Sequence, residues 1–149
     1  MFIEFNQHRV MEDGGLEDEA EKVRLAAEKV IKSGSTAVLF TRRERFELPD
    51  VDKEAQLRVS VRISDALASI VARLTVRPGF LITKGGITSS DVGTKSLKVK
   101  RATVMGQIRP GIPVWMTGDE SKYPQLPLVI FPGNVGEVET LKEIAEELS

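Results

Sequence analysis

Hydrophobic positions along this chain change their period several times, and each change predicts an element. Residues 1–6 (MFIEFN) set Phe2, Ile3 and Phe5 around Glu4, which suits a short strand or a docked arm. Gly14 and Gly15 interrupt the chain. Residues 16–32 then place Leu16, Ala20, Val23, Ala27, Val30 and Ile31 at spacings of three and four, one apolar stripe of an amphipathic helix. Ser33, Gly34 and Ser35 end it, glycine being the usual residue just past a helix. Residues 36–41 (TAVLFT) have almost no polar interruption and predict a strand buried on both faces. A charged loop closes at Leu48, Pro49 and Asp50. Asp52 stands where it would cap a second helix over residues 53–76, in which Leu57, Val61, Leu67, Ile70, Val71 and Leu74 form the core stripe. Pro78 restricts the residue before it and ends that helix.

The apolar run Phe80, Leu81 and Ile82 is too short for a helix and predicts a buried strand. It leads into Gly85 and Gly86 and then Thr88, Ser89, Ser90 and Asp91, residue types whose side-chain oxygens cap helices. The expectation is strand, glycine turn and a helix over about residues 88–97. Short β-type runs around Pro110 and Gly111 predict a hairpin. Residues 128–131 read as the last buried strand. After a second glycine loop at 132–136, residues 137–148 are expected to form a closing helix with Val138, Leu141, Ile144, Ala145 and Leu148 as its buried face.

Helices and strands alternating in this way predict an α/β fold: three layers, a mainly parallel sheet with helices on both faces, and a short β-hairpin excursion. A chain of 149 residues that is 41% hydrophobic predicts one domain with its own core, spanning residues 1–149.

Composition narrows the function chiefly by exclusion. The formal net charge of -1, from 21 basic and 22 acidic residues, gives no electrostatic footprint for nucleic acid or an anionic membrane. With no cysteine and the single histidine His8, neither a thiolate nucleophile nor an imidazole metal site is expected. A Ser-His-Asp triad would have to rely on that one histidine, and no catalytic residue is identified. No run approaches the roughly 20 apolar residues that span a bilayer, and the N-terminus does not resemble a secretory signal, so the expected location is the cytoplasm.

In open α/β sheets ligands bind beyond the carboxyl ends of the strands. Three loops are expected there: residues 42–45, 85–90 and 133–136. A helix starting near Thr88 would offer unpaired amides to a phosphate, although strand-to-helix turns carry the same residues for local reasons. Lys84 could act across the turn as a point charge or lie solvated. Arg42, Arg43 and Arg45 are interleaved with Glu44 and Glu47, which favours a solvated basic loop. Trp115 suits stacking on a base, and more often a lone strand tryptophan is a packing anchor. Glu137 and Glu139 would compete with a phosphate at the last helix, so Gly133 and Gly136 fit better as bare backbone beneath a flat base or ribose, or as a turn needing positive φ.

Three blocks carry a resemblance: KGGITSSDVGTKSL, VMGQIRPGIPVW and LPLVIFPGNVG, in that order from about Phe80 to Gly136. Together they resemble the C-terminal nucleotide-binding domain of the four-carbon acid sugar kinases, which act on threonate, erythronate and 3-oxo-tetronate. The resemblance implies ATP with Mg2+ as cofactors, contacts from Gly85, Gly86, Ile87, Thr88 and Gly133, and by extension Ser89, Asn134 and Gly136. It also implies a kinase role that needs a separate sugar-binding domain, because family members carry an N-terminal sugar-acid domain and an earlier strand and Gly/Ser-rich turn not evident here. The alternative is a non-catalytic remnant acting as a protein-interaction module. A sugar-binding domain on another chain and a homo-oligomer are the expected partners besides the nucleotide.

Overall fold

The computed structural model describes residues 1–48 and 52–149, so the expected loop closure at Pro49 and Asp50 lies outside the described residues. The chain forms two units, Met1–Val76 and Arg77–Ser149.

In the first unit, strand β1 (Phe2–Phe5) leads through a 3-10 turn (Gln7–Met11) into helix α1 (Gly15–Lys32), and the chain returns as β2 (Val38–Thr41). β1 and β2 pair in parallel, with Phe2 opposite Val38 and Phe5 opposite Thr41. Side chains alternate across a strand. Ile3 and Phe5 accordingly meet the core of Val10, Leu16, Ala20, Val23 and Ile70, while Phe2 is exposed. Helix α2 (Lys53–Arg73) completes the unit, and the expected cap is present: the Asp52 carboxylate accepts the Glu54 amide at 3.0 Å. The buried Glu28 carboxylate fixes the far end of α2 to α1. It accepts the Thr75 amide at 2.7 Å and pairs with Arg24 at 2.6 Å.

Two expectations for this unit change. β2 is not buried on both faces: Val38 and Leu39 are half-buried, and Phe40 and Thr41 are exposed. Only Leu39 among its residues packs on the helical core, and β1 is its one neighbour among the described strands. On α2, Leu57 and Val61 keep the spacing of the stripe yet lie exposed, because the helix buries its second half, around Ala68, Ile70 and Val71.

The second unit starts with β3 (Leu81–Lys84), followed by helix α3 (Gly86–Asp91), which runs straight into a π-helical turn (Val92–Ser96). Strands β4 (Ala102–Arg109), β5 (Ile112–Thr117) and β6 (Pro127–Phe131) and helix α4 (Thr140–Leu148) follow. The sheet order is β3-β6-β5-β4. Ile112, Val129, Phe131 and Ile144 form its core, with Ile82, Val114, Val135 and Leu141 packed around them.

Helices and strands are mixed as expected, but the strands do not form one mainly parallel sheet. β1 with β2 and β3 with β6 are parallel, whereas β4 with β5 and β5 with β6 are antiparallel. The hairpin expected as an excursion supplies two of the four strands of its sheet. The turn at Pro110 and Gly111, with Gly111 at φ 78°, folds β5 back on β4, and β5 then pairs directly with β6.

Candidate functional site

β3 and β6 run parallel and in register, from Leu81 opposite Leu128 to Lys84 opposite Phe131. Their carboxyl ends therefore share one edge, and the two glycine loops emerge side by side. The Gly85 amide extends the ladder past the strand by donating to the Phe131 carbonyl at 2.9 Å. A crevice beyond adjacent strand ends is where an open sheet receives a ligand.

Gly85 makes the first turn at φ 99°, a region that L side chains rarely adopt. Helix α3 begins at Gly86, two residues before the expected start, so Thr88, Ser89, Ser90 and Asp91 lie inside the helix and do not cap it. Glycine at Gly85 lets the chain turn without a side-chain cap. The Ser89 hydroxyl is buried and turned inward, 2.7 Å from the Gly85 carbonyl and 3.2 Å from that of Thr83. Asp91 pairs with Lys95 at 3.1 Å. The first intrahelical bond runs from the Ser89 amide to the Gly85 carbonyl at 3.0 Å, which leaves the amides of Gly86, Ile87 and Thr88 ahead of the helical ladder. The Ile87 side chain is exposed and Thr88 is half-buried.

In the second loop Gly133, Asn134 and Gly136 are exposed, and Val135 packs inward on the core. Gly136 sits at φ 86°, and a Cβ there would come within 3.0 Å of Cζ of Phe131 and 3.1 Å of Thr140. This glycine is required by backbone conformation and by packing. Helix α4 starts at Thr140, three residues later than expected, because the Glu137 amide donates to the Thr140 hydroxyl at 2.8 Å and holds the intervening residues in a turn.

Gly86 and Gly133 differ from Gly85 and Gly136. A Cβ at either would meet nothing within 4 Å, and neither residue has positive φ. Neither a positive φ nor a Cβ clash requires glycine at these two positions. What the missing Cβ provides is close approach to bare backbone from outside. Between the loops the Lys84 ammonium lies 4.0 Å from the centroid of the Phe131 ring. A cation, three amides at a helix start and backbone without side chains at Gly86 and Gly133 are thus carried by segments that leave adjacent strand ends.

Of the eight residues expected at the site, Gly85 makes the turn after β3, Gly86, Ile87, Thr88 and Ser89 open helix α3, and Gly133, Asn134 and Gly136 lie in the loop after β6. Arg42, Arg43 and Arg45 follow β2 in the first unit, where Arg42 pairs with Glu4 at 3.0 Å. Trp115 is half-buried on β5, opposite Val104 and Leu128. The sequence reading missed Phe131, whose ring touches both Lys84 and the second loop. Its only sequence signal is its place directly before Pro132 and Gly133. Among the described residues, no three acidic or histidine side chains cluster as a metal site, and no helix is long and apolar enough to cross a membrane.

The family model described as "Nucleotide-binding C-terminal domain" matches residues 1–141. No curated protein matches the chain. Among solved structures, a DUF1537 protein of Bordetella bronchiseptica, crystallised with bound citrate as a domain-swapped dimer, superposes with a TM-score of 0.67 at 18% identity, over 99% of this chain and 34% of that one. A second crystal form of it gives 0.64 at 15% identity, over 99% and 32%. A Salmonella typhimurium LT2 protein, provisionally described as a tRNA synthase, gives 0.65 at 18% identity, over 99% and 35%. At these identities the likeness is one of fold, and the chain spans about a third of the length of these structures.

Proposed function

Because the chain belongs to the family of nucleotide-binding C-terminal domains, we propose that it binds ATP between the loops after β3 and β6 and serves as the nucleotide-binding part of a four-carbon acid sugar kinase. The observation that supports this reading is the in-register parallel pair β3 and β6, from whose adjacent ends the segments carrying Gly86 and Gly133 leave, a Cβ at either glycine meeting nothing within 4 Å. In this proposal the amides of Gly86, Ile87 and Thr88 bind phosphate oxygens, and Ser89 holds the turn from inside. Gly133, Asn134 and Gly136 lie against the base or ribose. ATP with Mg2+ would supply the transferable phosphoryl group. The residues of this chain bind and orient it, which is the protein's main task in phosphoryl transfer. The sugar acid would be held by a separate domain, and the work would be done in the cytoplasm.

Calorimetric titration with ATP and magnesium tests the reading. Saturable binding that Gly86→Val abolishes is the expected result. A wild-type chain that binds no ATP at millimolar ligand would overturn it.

A second reading, a non-catalytic protein-interaction module, is favoured by exposed apolar side chains. Phe2 and Phe40 stack edge-on at 6.4 Å on β1 and β2, and Val104 and Met105 are exposed on β4. The domain-swapped dimer of the Bordetella protein makes a homo-oligomer part of this proposal. Monomeric behaviour in sedimentation across a wide concentration range would count against self-association.

A further inference from the structure

Lys84 ends β3 directly before the glycine turn and is exposed. Among the described residues no carboxylate pairs with it. Its ammonium instead lies 4.0 Å from the centroid of the Phe131 ring, its partner in the parallel register. Phe131 is 1% exposed, and its Cζ lies so near Gly136 that a Cβ there would come within 3.0 Å of it. Phe131 is thus a buried ring next to both glycine segments, with the Lys84 ammonium against it.

A cation resting on an aromatic face at an exposed site is weakly held compared with one donating charge-assisted hydrogen bonds to phosphate oxygens. We infer that Lys84 is a phosphate-contacting residue, whose ammonium moves from the Phe131 ring onto the polyphosphate of a nucleotide bound at Gly86, Ile87 and Thr88. No proton is transferred, because the ammonium only donates hydrogen bonds. The inference rests on the nucleotide reading above and adds the residue that recognises the charged end of the ligand.

The chain is titrated with ATP, adenosine and inorganic triphosphate at two salt concentrations, as wild type, Lys84→Met and Lys84→Arg. Methionine keeps an unbranched stem over Phe131 and removes the charge, and arginine restores the charge. The expected result is a loss of roughly ten- to a hundred-fold in affinity for ATP and triphosphate in Lys84→Met, with adenosine affinity unchanged, a shallower salt dependence and partial recovery in Lys84→Arg. Wild-type ATP affinity in Lys84→Met would overturn the inference alone. So would an equal loss for adenosine together with a lower melting temperature, the mark of a packing role. A wild-type chain that binds neither ATP nor triphosphate would overturn the nucleotide reading along with it.

Discussion

The hydroxyl of Ser89 donates to the carbonyl of Gly85 at 2.7 Å, so the helix after the glycine turn is fastened to that turn from within. The same hydroxyl lies 3.2 Å from the Thr83 carbonyl, joining the end of β3 to the first turn of α3. Ser89→Ala would remove the one hydroxyl that the Gly85 and Thr83 carbonyls share. We expect a loss of about 1 kcal/mol in stability, measured by urea unfolding, with a small drop in ATP affinity as the turn loosens. A large drop in affinity at unchanged stability would mean that the hydroxyl meets the ligand directly.

Gly86 and Gly136 should respond in opposite ways to the same substitution. Gly86→Ala places a methyl in open space at a helical position, where alanine is favoured over glycine by about 0.5–1 kcal/mol. Thermal denaturation should show an unchanged or higher midpoint, while calorimetry shows weaker ATP binding. Gly136→Ala meets both a left-handed backbone and the Phe131 ring. A cost of at least about 1–2 kcal/mol is expected from the backbone alone, and the melting temperature should fall. Equal thermal behaviour of the two variants would refute the distinction.

Acid should weaken the first unit through Glu28. The Thr75 amide, against the opposing effect of desolvation, and then the Thr75 side chain and Arg24 hold this carboxyl below the usual glutamate range. Its proton is therefore bound more readily in the unfolded chain. The stabilising contribution is complete above the ordinary glutamate value of about 4.3 and is lost as pH falls through the lower folded value. Melting temperatures recorded between neutral pH and pH 3 should decline on the acid side. Glu28→Gln should melt lower at neutral pH and lose less on acidification.

Ser121 offers a test in the opposite direction. Its hydroxyl oxygen is buried and has no hydrogen-bond partner among the described residues. Replacing an unsatisfied buried hydroxyl relieves a desolvation penalty of about 1–3 kcal/mol. Ser121→Ala should therefore unfold at higher denaturant concentration than the wild type. A lower midpoint would show that the hydroxyl has a bonding role.

Local sequence was enough for the elements whose signals are local. The stripe from Leu16 to Ile31 gave α1, Asp52 gave the start of α2, and Pro110 with Gly111 gave the hairpin turn, because periodicity, capping and turn chemistry act within a few residues. The two glycine turns were legible for the same reason, at Gly85 and at Gly136, where the backbone takes positive φ. What the chain could not state locally was partnership. Whether β2 is a central or an outer strand, and whether the hairpin is an appendage or half of a sheet, depends on pairings between segments far apart in sequence. The start of α3 at Gly86 likewise depended on Gly85 reaching the Phe131 carbonyl, a bond across two strands. Lys84 and Phe131 stand 47 positions apart, and only the parallel register of β3 and β6 sets a charge and a ring against each other between the two loops.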